Sequence, residues 1–182
     1  MSNSLFYLVK ALGDLYLLAF LLRFLLQWVR ADFYNPFTQA IVQITDPLVR
    51  PAARFIPTSR SVDVPGLTVL VVLEGILTWL LLTIGGISSG AIAPFPLLVL
   101  FRLISLTLWF YSVSILIYVI LSWVGPRGRH PVAVVLADLN EPILRPARRI
   151  LPTIAGLDLS PLLVLIIIQA AFRLVPLPNF LS

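Results

Sequence analysis

Long apolar runs dominate the chain, and polar residues gather in the segments between them. About 20 apolar residues are needed to cross the hydrocarbon core of a bilayer. Four runs approach or exceed that length, at about 5–29, 64–84, 97–124 and 159–175. The pattern therefore predicts an all-α membrane protein with four transmembrane helices, of which the fourth is the shortest.

The two long connecting segments are rich in arginine, whereas the short one is uncharged. Segments 30–63 and 125–158 contain nine arginines between them, and residues 85–96 carry no charged side chain. Cytoplasmic loops of membrane proteins are enriched in lysine and arginine. We therefore expect both arginine-rich loops in the cytoplasm, with the N-terminus, the 85–96 loop and the C-terminus on the outer side.

The two halves of the chain repeat each other at an offset of 95 positions. Trp28-Val29 recurs as Trp123-Val124. The same offset relates prolines, arginines and acids: Pro36 and Pro131, Pro47 and Pro142, Arg50 and Arg145, Arg54 and Arg149, Asp46 and Glu141, and Asp63 and Asp158. Such agreement without gaps indicates a tandem duplication.

Each repeat contains a helix, a charged loop and a second helix. Two crossings return the chain to its starting side, so the repeats are expected to share one parallel orientation. The predicted boundaries are 1–87 for the first repeat, 88–96 for an uncharged outer linker and 97–182 for the second repeat.

The repeated loops show the apolar spacing of short helices. Asn35-Pro36 is typical of a helix start, with a capping residue followed by proline. Apolar residues then recur at three- and four-residue intervals, at Phe37, Ala40, Ile41 and Ile44. Because Asp46-Pro47 resembles a second start, each loop is predicted to form an amphipathic helical hairpin at the cytoplasmic membrane surface.

Composition narrows the classes of function. The chain is 59% hydrophobic and only 12% charged, which excludes a soluble enzyme or soluble binding module. It has no cysteine and a single histidine, His130. We therefore expect no catalytic residue, no metal site and no cofactor. The net charge of +5 is attributed to topology and contact with anionic lipid, and nucleic acid is not expected as a partner.

The repeated charged residues of the loops are the first candidate site: Arg50, Arg54, Arg145, Arg149, Asp46 and Glu141. The guanidinium groups could bind lipid phosphate or the acidic residues of a partner protein. Alternatively, the arginines only fix the topology and extend to the headgroups. For the two acids, the favoured interpretation is helix capping.

Polar residues within the apolar runs form the second candidate group: Asp14, Arg23, Glu74, Gln169 and Arg173, with Lys10 and Arg102 nearer the outer side. Ionisable groups at such depth usually face one another or water. We expect an Arg23–Glu74 pair, and a contact of Asp14 with Lys10 or Arg173. These residues could form a proton or ion path, but ion pairs that hold the helices together are the favoured interpretation.

The doubled pattern W-V…N/H-P…D/E-P-L/I-x-R-P-A-x-R-x-I/L-P resembles the YggT family of bacterial membrane proteins, which is related to the YlmG proteins. The resemblance covers nearly the whole chain. It implies an integral protein of the bacterial cytoplasmic membrane without known enzymatic chemistry. Relatives are linked to osmotic-stress tolerance with potassium uptake and to cell-division or envelope organisation, and in plastids to nucleoid distribution and cytochrome assembly.

Two functions remain from different classes. A non-enzymatic scaffold or assembly factor would use the loops to bind anionic lipid and an unidentified membrane or cytoplasmic protein. A small transporter or channel component would use Glu74 and Gln169 along a path. The scaffold is favoured because the repeated residues lie in the loops, whereas transport sites at repeat interfaces tend to use matched positions. A homo-oligomer is compatible with both.

Overall fold

A computed structural model describes residues 2–56, 62–86, 94–124, 130–151, 158–177 and 181. Within these ranges the fold consists of helices and contains no strand. The six helices are α1 (Ser2–Trp28), α2 (Pro36–Ala52), α3 (Val64–Ile84), α4 (Phe95–Val124), α5 (Pro131–Ile150) and α6 (Ser160–Leu174). The predicted all-α class is therefore confirmed.

Three of these helices are long and apolar enough to cross a membrane: Ser4–Trp28, Val64–Ile84 and Phe95–Ser122. The expectation of four spanning helices is corrected to three, because α6 has only 15 residues. At 1.5 Å per residue it covers about 22 Å, less than a hydrocarbon core of about 30 Å. Pro176 explains the early end, since Val175 before it takes an extended conformation.

The order of long helix, loop helix and third helix occurs twice along the chain. The loop helix α5 begins at Pro131, 95 positions after the first residue of α2, Pro36. Asn35 caps α2 as predicted, because its Oδ1 accepts a hydrogen bond from the Phe37 amide at 2.9 Å. Its counterpart His130 occupies the same position without a side-chain cap.

The loop helices are continuous, so the predicted hairpins are wrong. Each carries two internal prolines, Pro47 and Pro51 in α2 and Pro142 and Pro146 in α5. A proline inside a helix removes one hydrogen bond and leaves a carbonyl free. All four prolines lie on the exposed side of their helices. The freed carbonyls there can bond to solvent, and the helix continues past each proline.

The core follows from close packing of α1 against α3. Gly13 permits this approach, since a Cβ at that position would lie 2.6 Å from the Leu77 side chain. The buried apolar core joins side chains of several helices, among them Leu17, Phe20, Leu26, Leu70, Leu81, Leu98 and Leu139. A smaller cluster surrounds Ile115 and Leu144. The outward faces of the spanning helices are also apolar, as helices in contact with lipid require.

Several sequence predictions fall outside the described residues. They concern Arg60, Arg127, Arg129 and most of the 88–96 linker.

Candidate functional site

The first cluster of charges ties together the three helices of the first repeat. Arg23 of α1 donates from Nε to Asp63 Oδ2 at 2.8 Å, and from Nη1 to Asp46 Oδ1 at 2.8 Å. Its Nη1 also donates to Thr45 Oγ1 at 2.9 Å. Asp63 in turn caps α3, accepting from the Gly66 amide at 2.9 Å. We call Arg23, Asp46 and Asp63 the first triad.

The second repeat contains a triad with matching carboxylates. Arg148 of α5 donates from Nη1 to Glu141 Oε2 at 2.8 Å and from Nε to Asp158 Oδ2 at 3.0 Å. It also donates from Nη2 to Tyr118 Oη at 3.2 Å. Asp158 accepts from the Ser160 amide at the start of α6 at 3.0 Å. Arg148, Glu141 and Asp158 form the second triad.

The two triads differ in burial. Asp46 and Asp63 are 15% and 8% exposed, whereas Glu141 and Asp158 are 52% and 28% exposed. Burial alone would raise the pKa of Asp46, but hydrogen bonds and charge from Arg23 and Arg50 hold that pKa below its ordinary value. Burial likewise opposes ionisation of Asp158, but bonds from Ser160 and Arg148 lower its pKa overall. Both acids are therefore anionic at neutral pH.

A third cluster lies among the spanning helices. Arg102 of α4 donates from Nε to Glu74 Oε1, from Nη2 to Asp14 Oδ1 at 2.7 Å and from Nη1 to the Leu181 carbonyl at 3.0 Å. Glu74, only 1% exposed, also accepts from Thr78 Oγ1 at 3.1 Å. Lys10 approaches the second oxygen of Asp14 at 3.7 Å. These contacts bind α1, α3 and α4 through opposite charges in the apolar layer.

A cavity of about 470 Å³ opens beside this third cluster. It is lined by Lys10, Ala11, Asp14, Leu15, Leu18, Glu74, Arg102, Ser105, Leu106, Trp109, Phe172 and Leu181. Three lining positions of α1 recur in α4 at the 95-residue offset: Lys10 and Ser105, Ala11 and Leu106, and Asp14 and Trp109. The cavity therefore lies between corresponding faces of the two repeats.

These contacts correct the predicted ion pairs. The Arg23–Glu74 pair is wrong, because Arg23 binds Asp46 and Asp63 while Glu74 binds Arg102. The pairing of Asp14 with Lys10 is confirmed, although Arg102 lies closer to Asp14. Arg173 does not bind Asp14: its side chain is exposed, and no ion pair is found for it among the described residues.

The repeated loop arginines all lie on the outside of the fold. Arg50 is 79% exposed and contacts Asp46 Oδ2 at 2.7 Å. Arg54, Arg145 and Arg149 are exposed and make no hydrogen bond or ion pair to the described part of the chain. The capping interpretation of Asp46 and Glu141 is wrong, since both lie inside continuous helices and bind arginine.

Two features escaped the sequence analysis. Arg148 matches Ala53 in the first repeat, so a search for repeated residues passed over it. Arg102 was noted as intramembrane but was not assigned to Glu74. Gln169, expected to line a path with Glu74, is exposed on α6 and does not line the cavity.

Comparison with known proteins assigns the chain to a family. The chain is 38% identical over 178 residues to an uncharacterised protein of Pseudomonas aeruginosa, covering 96% of this chain and 89% of that one. It is 41% identical over 172 residues to an uncharacterised protein of Vibrio alginolyticus, with 93% and 91% covered.

A third relative is the uncharacterised protein YggT of Escherichia coli K12, which is 36% identical over 166 residues, with 91% of this chain and 86% of that one covered. No solved structure matches the chain. The sequence model of the CCB3/YggT family matches residues 2–84 and again residues 97–178. The second match begins 95 positions after the first, in agreement with the predicted duplication. The chain is a membrane protein that belongs to the CCB3/YggT family, with two copies of the family unit in tandem.

Proposed function

We propose that this protein is a non-enzymatic scaffold or assembly factor of the bacterial inner membrane. In this proposal α2 and α5 lie as amphipathic helices on the cytoplasmic surface. They bind anionic lipid headgroups and a protein partner in osmotic-stress response and in envelope or cell-division organisation. The observation that carries the proposal is the division of the surface of α2 into three faces.

The first face of α2 holds the helix against the bundle through Thr38, Ile41, Thr45 and Val49, which are all buried. The second face is apolar but exposed, and it contains Ala40, Ile44 and Leu48, continued past the helix end by Phe55. The third face is polar and exposed, with Gln39, Gln43 and Arg50. A helix at a membrane interface requires such a neighbouring pair of apolar and polar surfaces.

The exposed arginines supply the affinity for anionic lipid. Arg50 and Arg54 lie at the end of α2, and Arg145 and Arg149 at the matching end of α5. A basic side chain near an anionic membrane surface contributes about 1 kcal/mol to binding. Guanidinium groups also bind phosphate and carboxylate in a bidentate manner, which suits a lipid headgroup or an acidic partner.

The proposal includes an orientation for the chain. The arginine-bearing ends face the cytoplasm, according to the positive-inside rule, and the two repeats run in parallel. Because α6 alone is too short to span, we assign the fourth crossing that this orientation needs to α6 together with the residues after it. The contact of the Leu181 carbonyl with Arg102 supports this assignment, because Arg102 lies only seven residues after the start of α4.

A protein contact is also proposed for the outward face of α6. Gln169 and Arg173 are exposed there on an otherwise apolar helix. Polar side chains that face lipid are costly, and amides commonly bond across neighbouring helices in membranes. A second copy of the chain or another membrane protein is the proposed occupant.

Transport is the second candidate function, and the cavity between the repeats favours it. Substrate sites of many transporters lie at such repeat interfaces. However, Gln169 lies away from the cavity, and Glu74 is held by Arg102 and Thr78. The two polar residues expected along a transport path therefore do not line one path together, and the scaffold stays the first candidate.

The test replaces the four loop arginines by glutamine, R50Q/R54Q/R145Q/R149Q, in the full chain. We measure retention of anionic phosphatidylglycerol against neutral phosphatidylcholine in purified protein, and complementation of the corresponding gene deletion under osmotic stress. Loss of about 1 kcal/mol per arginine predicts a decrease of tenfold or more in preference for anionic lipid. Complementation is expected to fail while the protein still inserts.

The matched control is Arg173→Gln, which removes one exposed arginine from the opposite end of the fold. It should leave the lipid preference unchanged, whereas Arg149→Gln alone should lower it. Full complementation by the quadruple variant would overturn the scaffold proposal. Ion flux into proteoliposomes that is lost on Glu74→Gln would support transport instead.

A further inference from the structure

We propose that the cavity between the two repeats binds a zwitterion, a molecule that carries both a primary ammonium and an oxyanion. Its source is either the headgroup of an aminophospholipid or a small solute of the same chemistry. This inference goes beyond the proposed function, because it concerns the outer half of the bundle and not the loop helices.

The charges of the residues that line the cavity favour a ligand without net charge. The ionisable lining groups are two cations, Lys10 and Arg102, and two anions, Asp14 and Glu74. The wall is therefore neutral as a whole. A ligand with net charge would leave one uncompensated charge within the apolar layer, which is costly there. A zwitterion preserves neutrality and still offers a partner to each sign of charge.

Among the ion pairs in the wall, Arg102–Glu74 is held firmly, whereas Lys10–Asp14 can exchange its partners for a ligand. Arg102 and Glu74 are almost fully buried, and each of the three guanidinium nitrogens of Arg102 donates one hydrogen bond, to Glu74, Asp14 and the Leu181 carbonyl. The Lys10–Asp14 contact is looser, at 3.7 Å, and both side chains are partly exposed. A ligand ammonium can bind the outer oxygen of Asp14 while a ligand oxyanion binds Lys10, so that one ion pair becomes two.

A further polar group in the wall lacks a partner. The Ser105 hydroxyl is buried and forms no hydrogen bond in the described part of the structure. A buried hydroxyl without a hydrogen-bond partner destabilises the folded state until a partner satisfies it. Ser105 occupies the position in α4 that Lys10 occupies in α1, so it lines the cavity from the opposite repeat. An ammonium or phosphate group of the ligand would supply the missing partner.

The remaining walls suit a ligand with a polar end and a carbon-rich end. They comprise the aliphatic side chains of Leu15, Leu18 and Leu106 and the aromatic rings of Trp109 and Phe172. The volume of about 470 Å³ falls within the range of small-molecule sites, which is about 300–1,000 Å³. It can hold a phosphoethanolamine group with the first carbons of a lipid, or a compact zwitterionic solute.

The experiment uses the purified full chain in nanodiscs and measures bound lipid by native mass spectrometry. Phosphatidylethanolamine is compared with phosphatidylglycerol, which is anionic, and with phosphatidylcholine, whose ammonium has no N–H donor. A separate arm titrates glycerophosphoethanolamine, the water-soluble headgroup, into protein held in phosphatidylcholine. If the ligand is a lipid, we expect phosphatidylethanolamine to be retained at least tenfold more than the other two lipids. If the ligand is a small solute, we expect saturable binding of the soluble headgroup.

Variants locate the site. Asp14→Asn and Lys10→Gln should each weaken binding about tenfold or more, since each removes a charged hydrogen-bonding partner. Ser105→Ala and Trp109→Leu leave the Arg102 ion pairs intact, so they test the cavity even if loss of Asp14 prevents folding. The control Arg30→Gln, which removes an exposed arginine just after α1 and away from the cavity lining, should bind as the unmodified chain does. Two outcomes would overturn the proposal. In the first, all three lipids are retained equally and the soluble headgroup does not bind. In the second, the double variant Ser105→Ala and Trp109→Leu binds as the unmodified chain does.

Discussion

Arg148 donates a hydrogen bond to the hydroxyl of Tyr118, and Tyr118 occupies the position in the second repeat that Arg23 occupies in the first. The two triads therefore use matching carboxylates but obtain their arginine from different helices. In the first repeat the cation comes from spanning helix α1, and in the second from loop helix α5. Tyr118 therefore occupies the position of the missing α4 arginine and accepts a hydrogen bond from Arg148 instead.

The first prediction compares the two arginines. Arg23→Gln should destabilise the fold by about 3–5 kcal/mol, because it leaves Asp63 buried without a cation and Asp46 with only the exposed Arg50. Arg148→Gln should cost about 1 kcal/mol or less, since its carboxylates are partly solvated. Unfolding of the detergent-solubilised protein, followed by tryptophan fluorescence, measures both. Equal losses would contradict the assigned difference in burial.

The second prediction concerns acid sensitivity. The folded pKa of Asp46 lies below its ordinary value of 3.8, so its stabilisation is complete above about pH 4 and is lost as the pH falls through the folded pKa. Arg23→Gln removes a group that lowers this pKa, so the folded pKa moves back toward the ordinary value and the variant should lose less additional stability on acidification than the unmodified protein. Unfolding curves between pH 7 and pH 2 test this. Arg173→Gln serves as control and should follow the unmodified protein.

The third prediction concerns a buried polar pair between α4 and α5. Asn140 Nδ2 donates to Ser114 Oγ at 2.8 Å, and both side chains are buried. Asn140→Leu should destabilise by about 1–3 kcal/mol, because it leaves the Ser114 hydroxyl without a partner. Adding Ser114→Ala should recover part of that loss. A double-mutant cycle in thermal unfolding measures the coupling, and purely additive losses would contradict it.

The fourth prediction is a stabilising substitution. Burial raises the pKa of Asp138 in α5, and the charge of Asp32 raises it further. The ionised form therefore weakens the fold, an effect that is absent below the ordinary pKa and appears as the pH rises through the folded pKa. Asp138→Asn should stabilise the protein at pH 7 by less than about 1 kcal/mol, with the gain vanishing near pH 3. Destabilisation at pH 7 would refute the assignment.

The fifth prediction tests the orientation. Phe55 and Ile150 are exposed and follow the arginine-rich ends of α2 and α5. A fluorescent reporter inserted at either position should be active in the cytoplasm, whereas a phosphatase that works only in the periplasm should be inactive there. A phosphatase inserted near residue 90 provides the matched comparison and should be active. The reverse pattern would invert the proposed topology.

Features set by local sequence were predicted well. Asn35 caps α2, and the apolar runs form helices at the expected places. The duplication was readable because proline and arginine recur in register, and the family matches agree with it. Capping and helix formation depend on residues near one another in the chain, and the duplication is visible from residue identities alone, so neither required knowledge of the packing.

Features that depend on packing were not predictable in the same way. The repeat offset identifies counterparts, but it does not identify partners: Glu74 binds Arg102 because α3 packs on α4, and Arg23 turns toward α2. The internal prolines suggested a break at Asp46-Pro47. The helix continues past its internal prolines, which lie on the exposed side, and this position could be known only once the packed face was known.

The separate origin of the two triad arginines limits how the repeats can be recombined. Each half carries its own cation for its own carboxylates, so a complete half that is moved as one unit keeps its triad supplied. Exchange of single helices between the halves does not. With α4 in place of α1, Tyr118 would lie beside Asp46 and Asp63, and the position that matches Arg148 is Ala53, just past the end of α2. Chimeras cut between α1 and α2 should therefore fail where those joined in the 85–96 loop assemble.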